Sequence, residues 1–287
     1  MIDEKEIIRR RDMRDVLTFT IDPATAKDFD DALSFEVGED GNYRIGVHIA
    51  DVSYYVRPGS KTDDEAYEKA TSIYLVDRVI PMLPEELCND LCSLRPNEDK
   101  LCMSVVFTVT PEAKVEKYKI CRTVIRSNYR LNYEEAQDII DGGEALGDWT
   151  TGKPTDQELV CAILTLNALA KILRAERIAA GAMTLEQEEP RFVLDKRGFP
   201  TDIYFEQPSE SHHLIEEWML MANKTVARHV GAKPFVYRVH DLPDEEKLEK
   251  LRAFQRKMGD RVSPQTIDML TVRAMAKAVY STNNIGH

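Results

Sequence analysis

The run Val16-Leu17-Thr18-Phe19-Thr20-Ile21 passes without a break into Asp22-Pro23-Ala24-Thr25-Ala26-Lys27-Asp28-Phe29-Asp30-Asp31. The first six residues are rich in β-branched and aromatic types and read as a strand. The next ten carry four aspartates, so a sheet is expected with a concentration of negative charge at one strand end. Beyond the cluster, Leu33, Phe35 and Val37 alternate with polar residues, a Gly41-Asn42 turn follows, and Tyr43, Ile45, Val47 and Ile49 resume the alternation. Period two on both sides of a glycine-containing turn predicts a hairpin. Met103 to Val109 and Val115 to Ile125 predict two further strands around a turn at Pro111.

The second half changes period. Leu159, Ile163, Leu166, Leu169 and Leu173 follow helical spacing, as do Leu214, Trp218, Met221 and Thr225. Thr62 with Glu65, Asn132 with Glu135, and Thr155 with Glu158 each fit a capping box. Ser263-Pro264 fits a cap followed by a first-turn proline. The predicted fold class is α+β: a twisted, mostly antiparallel, barrel-like sheet from the N-terminal half, covered by helices from the C-terminal half. The turn-rich stretch from Asp141-Gly142-Gly143 to Lys153-Pro154 separates a strand-rich part, 15–140, from a helix-rich part, 155–287. It reads as a loop inside one domain.

Four carboxylates this close repel one another in a folded pocket, and they are tolerated either splayed into water or sharing a cation. Taken alone, the cluster is open to both readings. Ile21, Phe29, Ala32 and Leu33 interleave with the acids and draw the loop toward the interior, where unpaired carboxylates are costly. An all-oxygen set suits a hard ion, Mg²⁺ or Mn²⁺. A calcium-binding EF-hand is excluded, because Asp28-Phe29-Asp30-Asp31-Ala32 lacks its turn glycine and closing glutamate.

At 287 residues the chain can hold one large domain or two ordinary ones, with ample core. A net charge of −12 gives no surplus of cations for phosphate binding, although net charge is not the local field. The five cysteines, Cys88, Cys92, Cys102, Cys121 and Cys161, lack zinc spacing, and Cys88 and Cys92 at i,i+4 read as packed thiols on a helix. Reduced thiols fit the cytoplasm. The charged start, Met1 to Asp15, has no apolar core of a secretory signal. The apolar-looking run Val160 to Leu173 contains Asn167 and Lys171 and is too short to span a bilayer, so no membrane partner is expected.

Four long motifs, Thr20 to Ala32, Val47 to Val56 (VHIADVSYYV), Asp63 to Leu75 (DDEAYEKATSIYL, helix-like) and Ile80 to Pro96 (IPMLPEELCNDLCSLRP), occur in one order and spacing. Together they resemble the catalytic (RNB) domain of the ribonuclease II and ribonuclease R exoribonucleases. Weaker resemblance continues through Ser127 to Ala136 and His212 to Asn223. The resemblance implies a metal-dependent 3′-to-5′ exoribonuclease acting on single-stranded RNA as a monomer, releasing nucleoside 5′-monophosphates. The alternative it leaves open is a non-catalytic RNA-binding module.

On the same resemblance, Asp22, Asp28, Asp30 and Asp31 are the catalytic acids that hold Mg²⁺ or Mn²⁺. Tyr133 stands beside the scissile phosphate, Tyr74 packs against bases near the RNA 3′ end, and Glu216 contacts the terminal nucleotide, with Glu217 as the competing choice. Leu185 occupies the place of a phenylalanine that sandwiches terminal bases. The chain is also expected to lack the family's RNA-binding barrels and its C-terminal arginine-rich segment, and therefore to degrade RNA poorly.

Overall fold

The computed structural model describes residues 2–142, 157–182, 189–231, 234–237 and 244–258. In chain order the elements are α1 (Glu4–Arg9), β1 (Arg11–Asp12), β2 (Thr18–Asp22), β3 (Asp31–Val37), β4 (Tyr43–Ala50), α2 (Val52–Tyr55), α3 (Lys61–Lys69), β5 (Ile73–Tyr74) and β6 (Val79–Ile80). A single turn of π-helix (Leu87–Leu91) follows, then β7 (Asp99–Val109), β8 (Val115–Arg126), β9 (Tyr129–Asn132), α4 (Tyr133–Gly142), α5 (Gln157–Ala179), β10 (Glu189–Leu194), β11 (Pro200–Glu206), α6 (Glu210–Val230) and α7 (Glu245–Met258). The chain divides into two compact units, Met1–Lys171 with Glu186–Met219, and Ile172–Leu185 with Leu220–His287. In the second, the Tyr237 hydroxyl donates to the Gly231 carbonyl at 2.6 Å.

The first unit is built on a seven-stranded sheet ordered β1-β8-β7-β4-β3-β2-β9. The four central pairings are antiparallel, and the two edge pairings, β1 with β8 and β2 with β9, are parallel. The expectation of a mixed fold with a large, mostly antiparallel sheet therefore holds, but barrel closure does not. Among the described residues β1 and β9 do not pair with each other. A barrel needs its two edge strands to hydrogen-bond along a staggered register, and β1 is only two residues long.

Strand parity sorts the side chains onto two faces. Phe19 opposes Leu33, Leu33 opposes Val47, Val47 opposes Val105, and Ile45 opposes Phe107, giving one apolar face. The other face runs through Thr18, Ser34, Gly46, His48, Ser104 and Thr123, and it is buried as well. Its polar groups satisfy one another across four strands. The His48 ring bonds Ser104 Oγ at 2.7 Å through Nδ1 and Ser34 Oγ at 2.9 Å through Nε2, and Ser104 Oγ bonds Thr123 Oγ1 at 2.6 Å. Burial presses the imidazole pKa down to about 3, so it stays neutral. Gly46 is required here because a Cβ would collide with Ser34 Oγ and His48 Nε2.

A second apolar cluster covers part of this polar face: Phe29, Leu94 and Cys92 pack with Ala32, Ala50, Cys102 and Ile125. Cys88 and Cys92 are thiols, as expected, but Cys88 lies within a π turn and Cys92 caps its end, in place of a regular helix. Of the helices, α5 and α6 meet where the buried Trp218 Nε1 donates to the Leu166 carbonyl at 3.3 Å.

Three local expectations shift. The helix after Pro58 is capped by Ser60, which accepts from the Asp63 amide at 3.2 Å while Asp63 accepts from the Gly59 amide at 2.8 Å, so the reciprocal pair lies two residues before Thr62 and Glu65. That helix stops at Lys69, where Ala70 turns left-handed at φ 59°, and Ile73-Tyr74 is already strand. The segment expected to be helical from 155 onward also contains the β10–β11 hairpin. The Asn132–Glu135 box forms as expected, with both bonds at 2.7 Å. The Thr155 cap and the Ser263-Pro264 helix start lie outside the described residues.

Candidate functional site

Strand β2 ends on Asp22 and β3 begins on Asp31, so the eight residues between them form a loop over one end of the sheet. On the other side of β2, Asp22 is in register with Asn132 of β9. Tyr133, the first residue of α4, therefore emerges at the same sheet end, its backbone set by the Asn132–Glu135 box. The loop is tied down from behind. The Phe29 amide donates to Ser93 Oγ at 3.0 Å, Ser93 Oγ donates to the Lys27 carbonyl at 2.8 Å, and the Leu94 amide donates to the Phe29 carbonyl at 2.8 Å. Arg130 straps the other limb, donating to the Pro23 and Ala24 carbonyls at 3.1 and 2.8 Å, and its guanidinium lies 5.4 Å from the Phe29 ring centroid. Phe29 itself is buried in the second apolar cluster. The ring anchors the loop and leaves its acids at the sheet end, with Asp22 buried and Asp28 and Asp31 partly so.

Those acids are electrostatically unsatisfied. Burial, then the charge of Asp31, pushes the Asp22 carboxyl up to about 7, and its Oδ2 is buried without a hydrogen-bond partner. Burial, then Asp30, pushes Asp31 up to about 6. Asp30 is raised in the same way, by its surroundings first and by Asp28 second. Each acid thus disfavours ionisation of the next, which is the condition a bound cation relieves. The donor chemistry fits a hard divalent ion. As they stand, no three Asp, Glu, His or Cys side chains among the described residues converge closely enough to ligate one, so ligation requires side-chain rotation.

Beside the acids lies a groove of about 390 Å³ bordered by Pro23, Thr25, Tyr133, Arg191, Tyr204 and His212. Tyr133 is half-buried, and burial followed by the charges of Asp31 and Asp22 pushes its phenol up to about 12. Its ring is stacked on His212, with centroids 3.8 Å apart and planes 9° apart. Tyr74 is 71% exposed on the β5–β6 hairpin, together with exposed Ile73, Leu75 and Val76. Its phenol is raised by partial burial and then by the charges of Asp28 and Asp30.

Glu216 is exposed and lies 3.5 Å from His213 Nδ1, whereas Glu217 is buried, so the helix turns the two glutamates to different surfaces. Leu185 lies outside the described residues. Sequence reading did not single out Ser93, Arg130 or Tyr204 and assigned His212 no role. Arg130 lies three residues before Tyr133 in the quoted motif and was the one with a local signal.

The RNB domain model matches residues 10–287. A ribonuclease R from Aquifex aeolicus is 41% identical over 310 aligned residues, covering 100% of this chain and 43% of that protein. The chain spans less than half the length of the first curated relatives it matches. Two solved structures of Mycoplasma genitalium RNase R, each 28% identical, superpose on the same fold. The complex with ribose-methylated single-stranded RNA gives a TM-score of 0.82 and covers 99% of this chain and 44% of that one. The complex with double-stranded RNA gives 0.83 and covers 96% and 49%. With the domain model matched from Arg10 to the last residue and a relative of this identity aligned along the whole chain, the chain belongs to the RNB-domain family.

Proposed function

We propose that residues 1–287 form an RNB-type catalytic domain that hydrolyses single-stranded RNA from its 3′ end, releasing nucleoside 5′-monophosphates with Mg²⁺ or Mn²⁺. The observation that carries this reading is the Asp22 carboxylate. Its buried, unpartnered Oδ2 and raised pKa, coupled to Asp31, are costly in a protein that has no use for a cation there. Asp22, Asp28, Asp30 and Asp31 would hold the ion. A divalent ion so held makes a nucleophile of water and neutralises phosphoryl oxygens.

The chain's own residues do the rest. A phenol pushed up to about 12 keeps its proton at neutral pH, so Tyr133 offers a hydrogen-bond donor to a phosphate oxygen and adds no negative charge. Tyr74, exposed on its hairpin, offers a flat face to a base regardless of sequence. Glu216 stands at an exposed helix position where a ribose hydroxyl can reach it, and Leu185 supplies apolar contact to terminal bases. The molecule acts as a monomer in the cytoplasm on this reading.

The absence of a ready three-carboxylate cluster among the described residues favours one competing reading, an RNA-binding module without turnover. Incubation of 5′-labelled RNA with the chain in Mg²⁺, in EDTA, and as Asp31→Asn separates the two. Stepwise shortening that requires both metal and Asp31 is the expected result. Metal-independent RNA binding with no shortening under any condition would establish the binding module instead.

A further inference from the structure

We infer that His212 is a positioning residue for Tyr133, holding its ring as a preset flat wall of the groove against which single-stranded RNA packs; this rests on the reading of Tyr133 as an RNA contact. The two rings are nearly parallel at 3.8 Å, close enough to deny the phenol ring a swing toward α6. His212 is in turn fixed. Its Nδ1 accepts the Ser209 amide at 3.2 Å and lies 2.8 Å from Ser209 Oγ. Because Nδ1 accepts a backbone N–H, the neutral ring carries its proton on Nε2.

The circuit closes on Tyr133 itself. Ser209 Oγ lies 2.7 Å from Ser211 Oγ, and the fully buried Ser211 donates its hydroxyl to the Tyr133 carbonyl at 2.9 Å and its amide to Gln137 Oε1 at 3.0 Å. One short segment at the start of α6 therefore grips the backbone of Tyr133 with a serine and its ring with a histidine. A structural tie alone would need only the serine. The histidine acts on the ring of Tyr133, and both residues line the groove, whose volume of about 390 Å³ falls in the range of ligand sites, about 300–1,000 Å³. Restricting that ring before RNA arrives removes rotamer entropy that binding would otherwise cost.

The test measures anisotropy of fluorescein-labelled oligoadenylate titrated with the 287-residue chain in EDTA, so that affinity is read without turnover. Tyr133→Ala and His212→Ala are each expected to weaken binding by about 3- to 10-fold, and the double variant to bind no more weakly than Tyr133→Ala alone, as coupled neighbours do. His212→Phe, which restores a flat ring, is expected to stay within about twofold of the parent. Melting curves check that each variant folds, and Ser209→Ala replaces His212→Ala in the cycle if the latter does not. Independent, multiplying losses in the double variant would overturn the inference, as would unchanged affinity in His212→Ala beside a weakened Tyr133→Ala. Unchanged affinity in Tyr133→Ala, or no RNA binding by the parent, would instead locate the failure in the reading of the groove and take this inference with it.

Discussion

Asp22→Asn is expected to stabilise the metal-free protein, and more so as pH rises. An aspartate whose pKa moves from 3.8 when unfolded to about 7 when folded binds its proton more tightly in the native state. Its ionisation therefore opposes folding: the cost is absent below the unfolded pKa, grows as pH climbs through the interval, and is complete above about 7. At about 1.4 kcal/mol for each pH unit the ceiling is roughly 4 kcal/mol. The new amide still has to find an acceptor where Oδ2 had no donor, which offsets part of that gain. A gain of about 2 kcal/mol is a fair net figure, which for a chain of this size is roughly 4–8 °C in Tm. Melting parent and variant in EDTA at pH 5 and pH 8 measures it, with the gap wider at pH 8. Adding millimolar Mn²⁺ at pH 8 should then raise the parent's Tm through native-state binding and leave the variant nearly unmoved. A variant less stable than the parent at pH 8, or a gap independent of pH, would refute the claim that burial and the charge of Asp31 make ionisation of this carboxyl costly.

Three other substitutions probe the supports. Phe29→Ala removes a buried ring from the second apolar cluster, so a loss of about 3–5 kcal/mol is expected in urea titrations, together with loss of the Mn²⁺-dependent rise in Tm because the acidic loop loses its anchor. Gly46→Ala drives a Cβ against Ser34 Oγ and His48 Nε2 and should cost about 1–3 kcal/mol in the same titration; a neutral result would show that the strands part without breaking the His48 bonds. Tyr74→Ala removes a ring that is 71% exposed, so Tm should hardly change while single-stranded RNA affinity falls by about 1–3 kcal/mol; a large drop in Tm would mean that the ring serves packing.

The central strands of the large sheet were legible because their signals are local. Alternation from Leu33 to Ile49 around Gly41-Asn42 is a pattern in one stretch of chain, and the observed register follows it residue for residue. The Asn132–Glu135 box was legible for the same reason. Barrel closure was not, because whether a sheet closes depends on what its two edges do, and nothing in β1 or β9 encodes the distance between them. The β10–β11 hairpin was hidden for a different reason: its residues are largely exposed on both faces, so the alternation that burial imposes is missing. Of the candidate site, the four aspartates and Tyr133 were proposed from the motifs, while Ser93 and His212 were not. A serine whose hydroxyl bridges a loop sixty-odd residues earlier, and a histidine whose meaning lies in the ring beneath it, have no signature until the chain is folded.

What unites the legible and the hidden parts is the placement of apolar and acidic residues in one loop. A strand end with four free acids would normally splay into water, and a fully buried one would not ionise at all. Here Phe29 points one way into a core that Leu94, Cys92 and Cys102 complete, and Ser93 and Arg130 hold the backbone on either side of it. The carboxylates are thereby kept together against their own repulsion and short of full burial. Stability from the second cluster offsets the cost of that charge, so the sheet's polar face and its covering segment, which look like ordinary structure, are what allow the acids to remain ionisable and close. A variant that weakens this cover should therefore disable the site before it unfolds the sheet. Leu94→Ala, distant from the acids in sequence but packed against Phe29, is the sharpest case: the Mn²⁺ response should disappear while the melting transition stays cooperative, and a full Mn²⁺ response in that variant would mean that the loop holds its acids without the core behind it.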